Sequence, residues 1–169
     1  MVNMAEHRFI VPRPDDEEDL FEMLIGRKVT AKRQVDQPAP TDLGVVGVYV
    51  DDELEPAVLV YADFKLVIGA GGALSMVPVG AVEDAIDEKE IPKNLFDNFS
   101  EILNVSSSLF NDKRHNAKRV KLGSAHLFPE DTPDQVKANL IPGSEQTTLD
   151  VQLTIAGGYG GGRFLAVLL

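Results

Sequence analysis

Apolar positions along the chain change their period several times, and each change marks an element. Pro14 followed by Asp15, Asp16, Glu17, Glu18 and Asp19 is a helix start, because proline fits the first turn and acids favour the positive end of the helix dipole. Leu20, Phe21, Leu24 and Ile25 give that helix an apolar face, and Gly26 ends it. Residues 29–35 read as a weak strand and the Gln-Pro-Ala-Pro run at 37–40 as a loop. Residues 45–50 and 57–61 are almost continuously apolar and rich in valine, separated by a polar 51–56 segment. That predicts a hairpin of two central strands.

Residues 64–77 are ambiguous: alanine and methionine favour a helix, while Gly69, Gly71 and Gly72 weaken one. Small residues there let a helix lie close against another surface. A short helix follows at 79–88. The clearest helix is 92–111, opened by Pro92, with Leu95, Phe96, Phe99, Ile102, Leu103, Ser106, Leu109 and Phe110 on one broad side. Residues 118–128 predict a strand and 132–140 a short helix opened by Thr132 and Pro133. Strict alternation over 149–155 and a closing apolar run over 163–169 predict two last strands. The order is helix, three strands, three helices, strand, short helix, two strands. Hairpin-length links within the strand groups point to an α+β domain, an antiparallel or mixed sheet of about six strands with helices on one face.

Composition narrows the picture. The chain has 169 residues, 44% hydrophobic and 25% charged, which is globular usage and excludes whole-chain disorder. Residues 1–14 read as a flexible N-terminal arm and 15–169 as a single domain. The formal net charge of -11 repels phosphate backbones and anionic bilayers, so no nucleic-acid or membrane partner is expected. With no cysteine, disulfides, thiolate catalysis and cysteine-bound zinc are excluded. No signal-peptide-like or bilayer-length apolar run is present, and the reading is a soluble cytoplasmic protein.

Most chemical signals dissolve on inspection. The glycine-rich run from Gly157 to Gly162 precedes a strand and lacks a Lys-Ser/Thr pair, so it is a hairpin turn and not a phosphate cradle. His7, His115 and His126 lack ligand spacing, and neither a metal nor a cofactor is expected. Lys113, Arg114, His115, Lys118, Arg119 and Lys121 form a basic patch in an acidic chain. It is either a strand edge guarded by lysines or a landing site for an acidic partner, with Lys118, Arg119 and Lys121 as the binding residues. Asp97, Glu101, Asn104 and Ser108 are spaced four, three and four apart, which lines them on one stripe of the 92–111 helix, opposite its apolar face. By pattern alone that stripe reads first as the solvated side of an amphipathic helix.

The Asp97-x-x-x-Glu101-x-x-Asn104 helix, with Pro129 further on, resembles the signature of the CheC/CheX family of response-regulator phosphatases. The element order from about residue 15 to 169 resembles it too. The resemblance implies two pseudo-symmetric halves. Glu22 stands at the signature position of the first half, but Ile25 replaces the asparagine, so a single site, as in CheX, is implied. It implies hydrolysis of the aspartyl phosphate of a receiver-domain protein, with Asn104 and Glu101 catalytic, Asp97 and Ser108 supporting, and no metal ligand or cofactor supplied by this chain. A homodimer through strand edges or the small-residue helix is also expected. The alternative is a non-catalytic, dimeric binding or structural module on the same fold.

Overall fold

The computed structural model describes residues 9–111 and 119–169. Residues 1–8, which are most of the expected arm, and residues 112–118, which carry Lys113, Arg114, His115 and Lys118, lie outside the described residues. The chain folds as α1 (Pro14–Ile25), β1 (Val29–Arg33), β2 (Gly44–Val50), β3 (Pro56–Asp63), α2 (Phe64–Leu74), α3 (Val79–Glu88), α4 (Lys93–Ser106), a 3₁₀ turn (Ser107–Phe110), β4 (Lys121–Phe128), α5 (Asp134–Asn139), β5 (Thr148–Ile155) and β6 (Gly160–Leu168). Among the described residues, no helix is long and apolar enough to cross a membrane.

The six strands form one antiparallel sheet in the order β1-β5-β6-β3-β2-β4. Exchanging β1, β2 and β3 with β4, β5 and β6 returns the same order read backwards. The sheet therefore has two pseudo-symmetric halves, and α1 and α4, which precede β1 and β4, are counterparts. The α+β fold with a sheet of six strands is the one expected from the sequence.

The central strands are apolar on both sides because both sides are covered. Val45, Tyr49, Val58, Val60, Phe164 and Ala166 face the main core under α1 to α4. Val46, Val48, Leu59, Tyr61, Leu165 and Val167 face a smaller core closed by Phe128 and Leu140. Val136 of α5 packs against this second cluster, so the short helix lies on the face away from the other four. β5 shows the half-buried pattern: Leu149, Val151, Leu153 and Ile155 point to the main core.

The 64–77 stretch is helical because its glycines are consumed by close packing. A Cβ on Gly69 would collide with the Tyr159 carbonyl, one on Gly71 would sit 2.8 Å from the Leu95 carbonyl oxygen, and one on Gly72 would sit 2.7 Å from Val82. These contacts join α2 to the β5–β6 turn, to α4 and to α3. They use up the small-residue surface within the chain, so it is not a free dimer face. The glycine run beginning at Gly157 is indeed a hairpin turn: Gly157 and Gly158 both have φ of 88°, a left-handed conformation that glycine adopts without strain.

Asp63 joins the two halves. Its Oδ1 accepts the Leu66 N–H at 2.9 Å, capping α2, and its Oδ2 accepts the Arg163 N–H at 3.0 Å, on β6. Burial pushes its carboxyl above the ordinary range, and the two backbone donors pull it back. We expect Asp63→Ala to cost about 2 kcal/mol or more, since it removes a helix cap and strands a part-buried N–H. Urea denaturation checks this, and a change under roughly 0.5 kcal/mol, the range of ordinary surface substitutions, would contradict it.

Candidate functional site

The stripe lies on α4, which is anchored at three levels. Leu95, Phe99, Ile102, Leu103 and Ser106 are buried against the rest of the core. The Tyr49 hydroxyl, itself buried, donates to the Leu103 carbonyl at 2.6 Å. Asn98 donates to the Gly71 carbonyl at 2.9 Å and to Ser75 Oγ at 2.8 Å, tying α4 to α2. Glu101 and Asn104 are both exposed on the opposite side, one turn apart. Among the described residues, neither side chain has a hydrogen-bond or ion-pair partner. An exposed carboxylate and an exposed amide are thus held by a helix whose other side is fixed.

The helix ends earlier than expected from its pattern. Regular α-helix stops at Ser106 and a 3₁₀ turn follows. Three serine hydroxyls turn back onto the chain: Ser106 Oγ to the Ile102 carbonyl at 2.7 Å, Ser107 Oγ to the Asn104 carbonyl at 3.0 Å and Ser108 Oγ to the Val105 carbonyl at 3.1 Å. Such local bonds compete with the helical ladder and tighten its last turn. Ser108 is therefore off the α-helical stripe, although exposed. Asp97, at the other end, is exposed and paired with Lys93 at 2.9 Å. Arg119 and Lys121 are exposed where the chain enters β4, while Lys118 lies outside the described residues.

The counterpart helix shows why the first half is different. Counted from the first helical residue, Glu18, Glu22 and Ile25 of α1 match Asp97, Glu101 and Asn104 of α4. β1 is an edge strand, and its even-numbered residues bond to β5: the Gln34 N–H reaches the Asp150 carbonyl at 2.8 Å, and the Lys28 carbonyl accepts from Ala156 at 2.9 Å. The outward N–H groups of Val29 and Ala31 are received by Glu22 Oε1 at 3.0 Å and Glu18 Oε2 at 2.7 Å. These carboxylates seal the edge of the sheet. Ile25, where the asparagine would stand, is buried in the core.

A buried acid and a part-buried ion pair escaped the reading of the sequence. Glu17 is wholly buried, and neither carboxylate oxygen has a hydrogen-bond partner among the described residues. Burial first, and Asp16 second, push its carboxyl up to about 8. Its spacing to Leu20, Phe21, Leu24 and Ile25 puts it on the apolar face of α1, a signal hidden in a run of five acids. On the far face of the sheet, Arg163 forms a two-pronged pair with Asp150 through Nε at 3.0 Å and Nη2 at 2.8 Å. The two are on paired strands, but only the register of β5 with β6 brings them together.

No sequence-family model and no curated protein matches the chain. Solved structures do share its fold. Thermotoga maritima FliY superposes with a TM-score of 0.55 at 10% identity, over 98% of this chain and 84% of that one. A chain of the FliM–SpeE complex from H. pylori superposes with a TM-score of 0.58 at 9% identity, over 92% of this chain and 80% of that one. CheX from Desulfovibrio desulfuricans aligns at a TM-score of 0.36 and 11% identity, over 90% of this chain and 93% of that one, a likeness too loose to carry weight. The fold is thus one found in FliY and FliM, shared without close sequence relation.

Proposed function

We propose that this chain is a CheX-like phosphatase that hydrolyses the aspartyl phosphate of a receiver-domain protein. The observation that supports it is the pair of exposed side chains, Glu101 and Asn104, with no partner among the described residues, on a helix fixed to the core, beside a counterpart helix whose matching carboxylates, Glu18 and Glu22, are already bonded to the β1 edge. An aspartyl phosphate is a labile acyl phosphate, so its hydrolysis needs mainly positioning and charge compensation. The Asn104 amide both accepts and donates hydrogen bonds, so it can hold a water in line with the phosphorus. The water oxygen forms the new P–O bond as the bond to the aspartate oxygen breaks, releasing inorganic phosphate and the free carboxylate. Glu101 pairs with a receiver lysine and sets the docking angle. Asp97, held by Lys93, completes the acidic stripe, and Arg119 and Lys121 offer cations to an acidic partner surface.

The test is phosphate loss from a phosphorylated receiver with and without this protein. Acceleration supports the reading; none, across the receivers of the source cell, removes it. Glu101→Ala should weaken docking roughly fivefold, seen as a higher KM at unchanged saturating rate, because an exposed charge pair contributes up to about 1 kcal/mol.

A second reading is a non-catalytic binding or structural module. It is favoured by the tight 3₁₀ turn directly after the stripe and by the likeness to FliM in a complex with SpeE. Among the described strands, a homodimer through strand edges would use β4, since the β1 edge is sealed by Glu18 and Glu22.

A further inference from the structure

The two edges of the sheet are treated differently. In β2 and β3 the Phe64 N–H reaches the Leu43 carbonyl at 2.8 Å, so the odd-numbered residues of β2 bond to β3 and Gly44, Val46 and Val48 bond to β4. Their partners are Phe128, His126 and Ser124. Ala125 and Leu127 therefore direct their backbone groups away from the sheet. The Leu127 carbonyl accepts from Thr132 Oγ1 at 2.8 Å and from the Asp131 N–H at 3.1 Å. The Leu127 N–H and both backbone groups of Ala125 have no partner among the described residues. On β1 the equivalent outward N–H groups are received by carboxylates of α1. On β4 no side chain of α4 receives them among the described residues: Asp97 is bound to Lys93 and Glu101 is exposed.

Between this open edge and α4 runs a groove of about 350 Å³, lined by Ile91, Phe96, Asp97, Ala125, Leu127 and Asp131, with Lys93 and His126 at its side. Its floor is apolar. The Asp131 carboxylate is exposed, has no hydrogen-bond or ion-pair partner among the described residues, and lies beside exposed Glu130.

We infer that the outer edge of β4 is a docking strip for an extended, basic segment of a partner protein. Free N–H and C=O groups at one strand residue are matched by another strand's backbone, which adds a seventh strand to the sheet. Alternate side chains of that segment enter the groove between Ile91 and Phe96. Charge selects the occupant: a second copy of this chain, at -11, brings like charge to the acidic rim, whereas lysine or arginine in the added strand meets Asp131 and Glu130 at the Leu127 end of the strip, away from Arg119 and Lys121 at the start of β4. This inference stands apart from the phosphatase reading, since it uses neither Glu101 nor Asn104.

The experiment follows amide hydrogen exchange at Ala125 and Leu127 while a short peptide of alternating valine and lysine is added, with alternating valine and glutamate as the control. Protection of both amides by about tenfold or more with the lysine peptide alone is expected. Asp131→Lys should weaken that binding about tenfold while leaving the fold unchanged. Ala125→Pro should abolish it, and its outward N–H takes no part in the ladder, so the edge tolerates proline. If Ala125→Pro does not fold, Asp131→Lys still decides. No protection up to millimolar peptide, equal protection by the glutamate peptide, or protection that rises with protein concentration without peptide would each overturn the inference, the last by making a second copy the occupant.

Discussion

Replacing Asn104 by alanine should abolish the acceleration of receiver dephosphorylation while leaving the protein folded. The side chain is exposed and makes no hydrogen bond to the described residues, so its loss should change stability by no more than about 0.5 kcal/mol. Alanine is also the better helix former, which offsets part of even that change. Catalysis depends on the amide far more. Aiming one attacking water accounts for about 10²-fold in rate. The measurement is the rate of phosphate loss at saturating phosphatase, paired with a thermal melt. A variant that melts like the wild type and has lost about two orders of magnitude in rate supports the water-positioning role. Equal rates in the two proteins would leave a phosphatase but remove this mechanism, and Glu101 would then need another role than docking.

Glu17→Gln should stabilise the protein by about 3 kcal/mol at neutral pH, and should remove a pH dependence that the wild type carries. Glu17 ionises near its ordinary 4.5 in the unfolded chain, but burial and Asp16 push it up to about 8 in the fold. The native state therefore keeps the proton that the unfolded chain has already released. A group raised in this way contributes its full stability below 4.5, and that contribution is lost as pH rises toward about 8. The loss is about 1.4 kcal/mol for each pH unit in that window. The charged group that acts on the site is Asp16 on its own helix, and the Tyr49 hydroxyl on β2 stays protonated and neutral, held above its ordinary range chiefly by burial and then by Glu17. Neither supplies a compensating positive charge. Glutamine has the same shape and never ionises, so the difference in unfolding free energy between the two proteins should widen from pH 5 to pH 8. Urea denaturation at several pH values reads this difference directly, with the other titrating groups cancelling. Parallel stability profiles would show that Glu17 is not buried as described.

Local order along the chain was legible because each element carries its own period. The alternation of Leu149, Val151, Leu153 and Ile155, the proline and acids that open α1, and the broad apolar side of α4 each specify an element from a few neighbouring residues. The exposure of Glu101 and Asn104 followed from the same arithmetic, since a helix with one buried side must present the other. The α+β class followed from the order of those elements and the shortness of their links.

Other features depend on residues far apart in the chain, which no local period encodes. The glycines of α2 made a helix look doubtful until Tyr159, Leu95 and Val82 were brought against them; close packing overrode intrinsic propensity. The 3₁₀ ending of α4 was set by serine hydroxyls bonding back to carbonyls, a competition that the hydrophobic pattern does not register. Glu18 and Glu22 look like ordinary helix acids until the sheet order makes β1 an edge with outward N–H groups to fill. In the same way, the open edge of β4 exists only because the order of strands leaves it last. Periodicity settles which residues are buried within one element. Which strand is an edge, which carboxylate meets which N–H, and which helix side stays free are settled by pairing across the chain, because those free energies depend on contacts between residues distant in sequence.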